Sequence, residues 1–284
     1  MLALFEEPRV KGGETTVKVV TKVTMLAGFE ELEIGFDQRG VVFLTLCRPE
    51  RGNVLTPKIL GELERVFLLC SDDGVRALVI RHTGKTFCSG ADLGWMRGLC
   101  ALPSENRRVE LEALARVFRS LHEVPVPVVA AVNGIAYGGG IGLLCAADFV
   151  CVSATSEFHL PEARLGLLPA VIAPYLVAKF GAARATELAI AGTINAETAV
   201  TWGLATSLVQ PVDLERETEA LLQQILKGQP HTIRAVKEMF RGFATACFSE
   251  PASSMIAVLD GVLGMREAQD GLSQYFERRR PIRD

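Results

Sequence analysis

The segment Asn133-Gly134-Ile135-Ala136-Tyr137-Gly138-Gly139-Gly140, followed further along by Pro161-Glu162-Ala163-Arg164-Leu165-Gly166, combines a backbone nearly free of side chains with a lone carboxylate. Three successive glycines between an apolar strand (Pro127 to Val132) and an apolar helix (Ile141 to Ala146) let a ligand approach the main chain closely. The first amides of a helix have no intrahelical acceptor and lie at the positive end of its dipole, so an anionic oxygen placed there is stabilised without a charged side chain. A second turn of the same kind, Cys88-Ser89-Gly90-Ala91-Asp92-Leu93, follows the apolar run Ala77 to Ile80 and leads into Leu93-Gly94-Trp95-Met96. Two such turns can supply the two converging donors of an oxyanion hole.

Phe87-Cys88-Ser89-Gly90-Ala91-Asp92-Leu93, the triple glycine, Pro161-Glu162 and Arg48-Pro49-Glu50-Arg51-Gly52-Asn53-Val54-Leu55 stand in the order and spacing of the crotonase superfamily of acyl-CoA hydratases and isomerases, which the chain resembles from about Leu32 onward. The resemblance implies that the amides of Ala91 and Gly139 bind a thioester oxygen while its enolate forms, and that Glu162 handles the proton. It also makes Ser89, Gly90, Ala91, Asp92, Leu93, Gly94, Trp95, Tyr137, Gly138 and Gly142 candidates for binding substrate. Two-glutamate hydratases carry their second catalytic carboxylate where this chain has Gly142, so Glu162 would have to take a proton from water and return one to carbon by itself. A carboxyl near Leu160 and Leu165 can have the raised pKa that such shuttling favours. Among the other polar residues, Asp92 reads as a helix cap, Asp148 as structural and His159 as packed or on the surface, while Tyr137 stays open as a pocket residue.

Gly90-Ala91-Asp92-Leu93-Gly94-Trp95-Met96, Gly138-Gly139-Gly140-Ile141-Gly142-Leu143 and the run Leu165 to Tyr175 resemble bacterial methylglutaconyl-CoA hydratase-like members. On that likeness the expected activity is hydration or dehydration of a branched enoyl thioester, carboxylated substrates included. The alternatives are double-bond isomerisation, dehydration of a carrier-bound hydroxymethylglutaryl thioester in polyketide β-branching, and a non-catalytic acyl-CoA-binding subunit. Coenzyme A or an acyl carrier protein is part of the substrate, so no cofactor is expected. Arg48, Arg51, Arg97 and Arg278 to Arg280 are the candidates for its phosphates.

The elements that must position these residues alternate along the chain. Leu32 to Phe36 and Val41 to Cys47 suggest a hairpin; Thr56 and Pro57 open a helix with apolar residues at helical spacing; a strand over Arg76 to Arg81 and a helix from about Ser104 to Leu121 follow. Repeated strand-strand-helix units predict one α/β core over residues 28–210, the spiral of the crotonase fold. Residues 211–284 carry four helical patterns, which the resemblance assigns to packing on the core and to building a homotrimer or hexamer. Residues 1–27 read as a tail or an appended strand.

The 284 residues are 49% hydrophobic and 22% charged with a net charge of −3, which offers no general attraction for nucleic acid or an anionic membrane. Seven scattered cysteines without a Cys-x-x-Cys pair, and four separated histidines, argue for buried thiols in a reducing compartment and against a metal site. No apolar run is long enough to span a bilayer and the first residues lack the pattern of a secretory signal, so a cytoplasmic protein is expected.

Overall fold

The computed structural model describes residues 23–243 and 252–278. Strands β1 (Val23–Met25), β2 (Leu32–Asp37) and β3 (Val41–Leu46) form an antiparallel meander. The predicted hairpin is β2–β3, and β1 falls within the segment 1–27 read as a tail or an appended strand; residues 1–22 lie outside the described residues. Helix α1 (Pro57–Leu69) starts as expected, with the Thr56 side chain accepting from the Ile59 amide and Pro57 in the first turn. Its Ile59, Leu60, Leu63, Val66 and Phe67 are buried.

Each later unit sends a long strand into one sheet and a short strand into another. After β4 (Ala77–His82) come β5 (Thr86–Cys88), α2 (Leu93–Cys100) and α3 (Ser104–Glu123). After β6 (Val128–Val132) come β7 (Ile135–Tyr137) and α4 (Gly139–Ala146). After β8 (Phe149–Ser153) come β9 (Glu157–His159), a 3-10 turn over Glu162–Leu165 and α5 (Ala173–Ala191). Strand β10 (Thr193–Asn195), α6 (Ala196–Trp202) and β11 (Ser207–Val209) complete the core. The seven-stranded sheet has the order β1-β2-β3-β4-β6-β8-β11, parallel from β3 onward, and the four-stranded sheet has the order β10-β9-β7-β5.

This arrangement corrects one expectation. The triple glycine does not close the strand Pro127 to Val132, and the Gly90 turn does not follow directly from Ala77 to Ile80. Gly134, at φ +136, bends the chain out of the first sheet, and β7 intervenes; β5 intervenes in the same way before Gly90. The second sheet is what delivers both turns.

Helices α7 (Leu214–Ile225), α8 (Pro230–Phe243), α9 (Ala252–Leu263) and α10 (Arg266–Arg278) follow with no strand among the described residues. Helices α9 and α10 bury Ile256, Leu259, Leu263 and Leu272 against Met96 and Leu99 of α2, Leu111 of α3, and Leu167 and Ala170 beyond the 3-10 turn. Asp260 meets Arg107 at 2.7 Å and Ser104 at 2.6 Å beneath this contact. The pair α9–α10 is thus held over the segment that contains Glu162. The remaining core fills the space between the large sheet and α1, α3, α4 and α5, with Phe87, Phe118 and Phe158 fully buried; each buried phenyl ring contributes about 2–3 kcal/mol. No helix among the described residues is long and apolar enough to cross a membrane.

Candidate active site

Strands β5, β7 and β9 are parallel neighbours, with Cys88 opposite Ala136 and Tyr137 opposite His159. The three segments that leave their C-terminal ends, Ser89-Gly90-Ala91, Gly138-Gly139 and Pro161-Glu162, therefore emerge side by side, the usual place for a site in parallel sheets. A side-chain carbon built on Gly90 would stand 3.2 Å from the Gly139 nitrogen and 3.0 Å from the Tyr137 carbonyl oxygen. The two glycine turns touch.

Leu55 pins the first turn. Its amide donates to the Gly90 carbonyl at 2.8 Å and its carbonyl accepts from the Asp92 amide at 3.0 Å, bracketing Ala91. Among the described residues, neither the Ala91 nor the Gly139 amide donates to a protein acceptor. Gly139 is the first residue of α4 and only half-buried, so its N–H is an unspent donor at the positive end of a helix.

Asn53 fixes the loop that carries Leu55. It is buried with φ +52; its Oδ1 accepts from the Arg48 amide at 2.7 Å, and its Nδ2 donates to the carbonyls of Thr83 and Thr86 at 3.0 and 2.8 Å. Asn53→Ala strands three backbone groups and is expected to cost about 3 kcal/mol of stability, read as a shift in the urea unfolding midpoint at unchanged slope.

Glu162 opens the 3-10 turn that follows β9. Its Oε1 lies where a side-chain carbon on Gly138 would come within 2.6 Å, and Gly138 itself holds φ +45 and ψ −112, a conformation that needs glycine. Gly138 also donates its amide to the His159 carbonyl at 2.9 Å, which ties β7 to β9 next to the carboxylate. The Glu162 Oε2 is sealed from solvent without a hydrogen-bond partner. Burial pushes this carboxyl up to about 7 from an ordinary 4.5, against the smaller opposing effect of its own backbone amide. The site thus holds one carboxyl able to carry and release a proton near neutrality, one residue along from a free helix-end amide.

The surroundings of Gly142 explain its lack of a side chain. A carbon built there would stand 2.4 Å from Ile172 Cγ2 and 2.9 Å from Phe118 Cε1. Protein side chains make the close approach. Phe118 also reaches to 3.4 Å, and Leu55 to 3.1 Å, of a carbon built on Gly139, so its ring lies along the turn of α4 between Gly139 and Gly142. Leu55, Phe118 and Ile172 were not picked out as site residues by sequence reasoning. Leu55 and Ile172 stood in motifs singled out in the sequence, whereas Phe118 carries only an apolar signal that the whole buried core shares.

The other candidates divide. Asp92 caps α2 by accepting from the Trp95 amide at 2.8 Å and pairs with Arg51 at 3.2 Å. Leu93 and Trp95 pack under α9 and α10, and the Trp95 indole donates to Glu110 at 3.2 Å. Gly94 is exposed, and a carbon on it would approach the Asp92 carboxylate to 3.0 Å. The Ser89 amide donates to the Gly52 carbonyl at 2.9 Å. Tyr137 stacks on His159 with centroids 4.8 Å apart, and that histidine bonds Glu157 and Thr193. Asp148 accepts from the Val128 amide and from Lys237, beside a cavity of about 490 Å³ at the starting ends of β6 and β8. Of the arginines, Arg48 is bracketed by Glu31 and Glu50, Arg51 is held by Asp92, and Arg97 lies 4.2 Å over the Phe276 ring. Arg278 closes α10, and Arg279 and Arg280 lie outside the described residues. No group of three or more potential metal ligands occurs among the described residues.

Residues 37–282 match the family model described as enoyl-CoA hydratase/isomerase. A carnitinyl-CoA dehydratase of Escherichia coli K12 is 30% identical over 260 residues, covering 85% of this chain and 94% of the relative. A trans-2-decenoyl-[acyl-carrier-protein] isomerase of Streptococcus mutans is 29% identical over 257 residues, covering 89% and 97%. The crystal structure of an enoyl-CoA hydratase from Mycobacterium avium superposes with a TM-score of 0.76 at 29% identity, covering 88% of this chain and 98% of that one.

Proposed function

This chain belongs to the enoyl-CoA hydratase/isomerase family, and from that premise we propose that it adds water to, and removes it from, a branched enoyl thioester, with Glu162 as its one proton carrier. The observation that carries this reading is the Glu162 carboxyl, raised to about 7 and set against Gly138 beside the unspent Gly139 amide. In hydration the thioester oxygen sits between the amides of Ala91 and Gly139. Glu162 takes a proton from water as the water oxygen bonds to the β-carbon. The π electrons move toward the thioester and the oxygen becomes an enolate held by the two donors. The same carboxyl then gives its proton to the α-carbon and the carbonyl re-forms, so atoms and charge balance over the turnover. Dehydration runs these steps backward. A pKa near the working pH serves both halves of such a shuttle.

Two amides and one carboxyl require no metal or redox group for this chemistry. The carrier is coenzyme A or an acyl carrier protein, the branched acyl group is favoured by the run Leu165 to Tyr175, and the assembly we propose is a homotrimer or a hexamer. A second reading, double-bond isomerisation, draws on Ile172 and Phe118 filling the space beside Gly142. With no second carboxylate there, Glu162 would lift a proton from one carbon and return it to another without water.

Incubation with methylglutaconyl-CoA and with a straight-chain enoyl-CoA in ¹⁸O-labelled water and in D₂O tests both readings. Oxygen incorporation with the branched substrate is expected. Deuterium at carbon without oxygen would replace hydration by isomerisation, and no exchange with any thioester would leave a non-catalytic acyl-CoA-binding subunit. Since Glu162 must be ionised to begin either direction, kcat/KM is also expected to rise with pH through about 7. A profile flat from pH 5.5 to 8.5 would remove Glu162 from the proton step.

A further inference from the structure

Lys179 is a charged group that the proton shuttle leaves unused. It lies on α5, and burial pulls its ammonium below the usual lysine range while Cys145 and Asp148 act in the opposite direction. Its Nζ donates at 2.8 Å to the carbonyl of Ala147, the C-cap residue of α4. That helix has eight residues, so its two ends are about 12 Å apart. One end presents the Gly139 amide; the other carries the Lys179 ammonium.

We infer that Lys179 is a positioning residue for the oxyanion hole, acting through α4 from the end opposite the substrate. Two physical effects point the same way. A cation at a helix C-terminus complements the negative end of its dipole, and here it is partly withdrawn from water, where screening is weaker. The interior of α4 is almost entirely buried, from Gly140 to Ala146, so little solvent separates the ammonium from the far end of the helix. The net positive field at the C-terminus, together with the helix dipole, favours an anion at the N-terminus. The ammonium also holds the helix in place mechanically. Ala147 turns out of the helix at ψ 153, and the next residue, Asp148, fixes the start of β6 through the Val128 amide at 2.7 Å and meets Lys237 at 2.6 Å. Lys237 is paired directly with that carboxylate, whereas the Lys179 ammonium bonds to a neutral carbonyl and feels Asp148 only through space.

The inference rests on the reading that the Gly139 amide binds the developing oxyanion. Its specific consequence is that charge at position 179 supports the enolate more than the neutral thioester. Lys179→Gln keeps an N–H donor for the Ala147 carbonyl and removes the charge; Lys179→Arg keeps the charge; Lys179→Met removes both. Turnover by the folded full-length protein is expected to fall at least fivefold in Lys179→Gln with KM nearly unchanged, and to be restored in Lys179→Arg. The affinity for a 3-oxoacyl thioester that binds as its enolate should fall by the same factor, while a saturated acyl thioester binds as before. If Lys179→Met does not fold, Lys179→Gln still separates charge from tether. Unchanged turnover in folded Lys179→Gln would overturn the inference, as would equal losses for the enolate-forming and saturated ligands. If Gly139→Pro also left turnover intact, the oxyanion-hole reading would fall with it; if Gly139→Pro were inactive and Lys179→Gln normal, only the role of Lys179 would fall.

Discussion

Glu162→Gln is expected to lower turnover at least about 100-fold and at the same time to make the folded protein more stable at pH 8. The first effect follows from removing the one carboxyl beside the two free amides; glutamine matches its shape but can neither take a proton from water nor give one to carbon. The second follows from burial. The carboxyl titrates near 7 in the folded chain and near 4.5 in the unfolded one, so between these values the folded protein holds a proton that the unfolded chain has released. Stability from this group is therefore fully present below pH 4.5, falls as pH rises to 7 and stays low above it. The span corresponds to a penalty on the order of 3 kcal/mol at pH 8. Glutamine has no charge to bury, though its amide must still be desolvated, so a gain of about 1–3 kcal/mol at pH 8 and none at pH 4 is expected. Thermal or urea unfolding at the two pH values reads the difference. A variant that is inactive but no more stable at pH 8 would mean that the carboxylate is not desolvated in the folded protein.

Gly139→Pro is expected to reduce turnover by about 100- to 1000-fold, the loss associated with one oxyanion donor. Proline is well suited to the first position of a helix, where its missing N–H costs no intrahelical bond. Gly139 occupies that position in α4, so the substitution removes the donor with limited damage to the helix. The ring must fit against Leu55 Cδ1 and Phe118 Cζ, 3.1 and 3.4 Å from the built carbon. Gly139→Ala, which adds that carbon but keeps the amide, separates crowding from chemistry. The alanine variant should retain most of its turnover while the proline variant does not, with both checked for folding by circular dichroism. Comparable losses in the two would assign the effect to Leu55 and Phe118 rather than to the amide.

Much of the fold was legible because its signals are local. Thr56-Pro57 marks the start of α1 through capping chemistry confined to one turn, and the Asp37 to Gly40 break marks the β2–β3 hairpin. The C-terminal helices show themselves by apolar spacing alone. The short strands β5, β7 and β9 were not legible as a sheet of their own, because three residues are too few for an alternation pattern. Their pairing also joins segments far apart in the chain. For the same reason Phe118 and Ile172 gave no sign of their place beside Gly142.

The sequence by itself determined the kinds of group available: two glycine turns, each leading into a helix, a single glutamate after a proline, and no carboxylate at position 142. Those are properties of residue type and order, and they suffice to identify the family and its class of chemistry. Only the tertiary structure decided that these groups meet, that Glu162 presses against Gly138 with one oxygen shut away from water, and that Ile172 and Phe118 fill the space beside Gly142. The physical reason is that a carboxyl's proton affinity and an amide's freedom to donate depend on what surrounds them. Those surroundings are assembled from β5, β7, β9, α3 and the segment before α5, which only folding brings together.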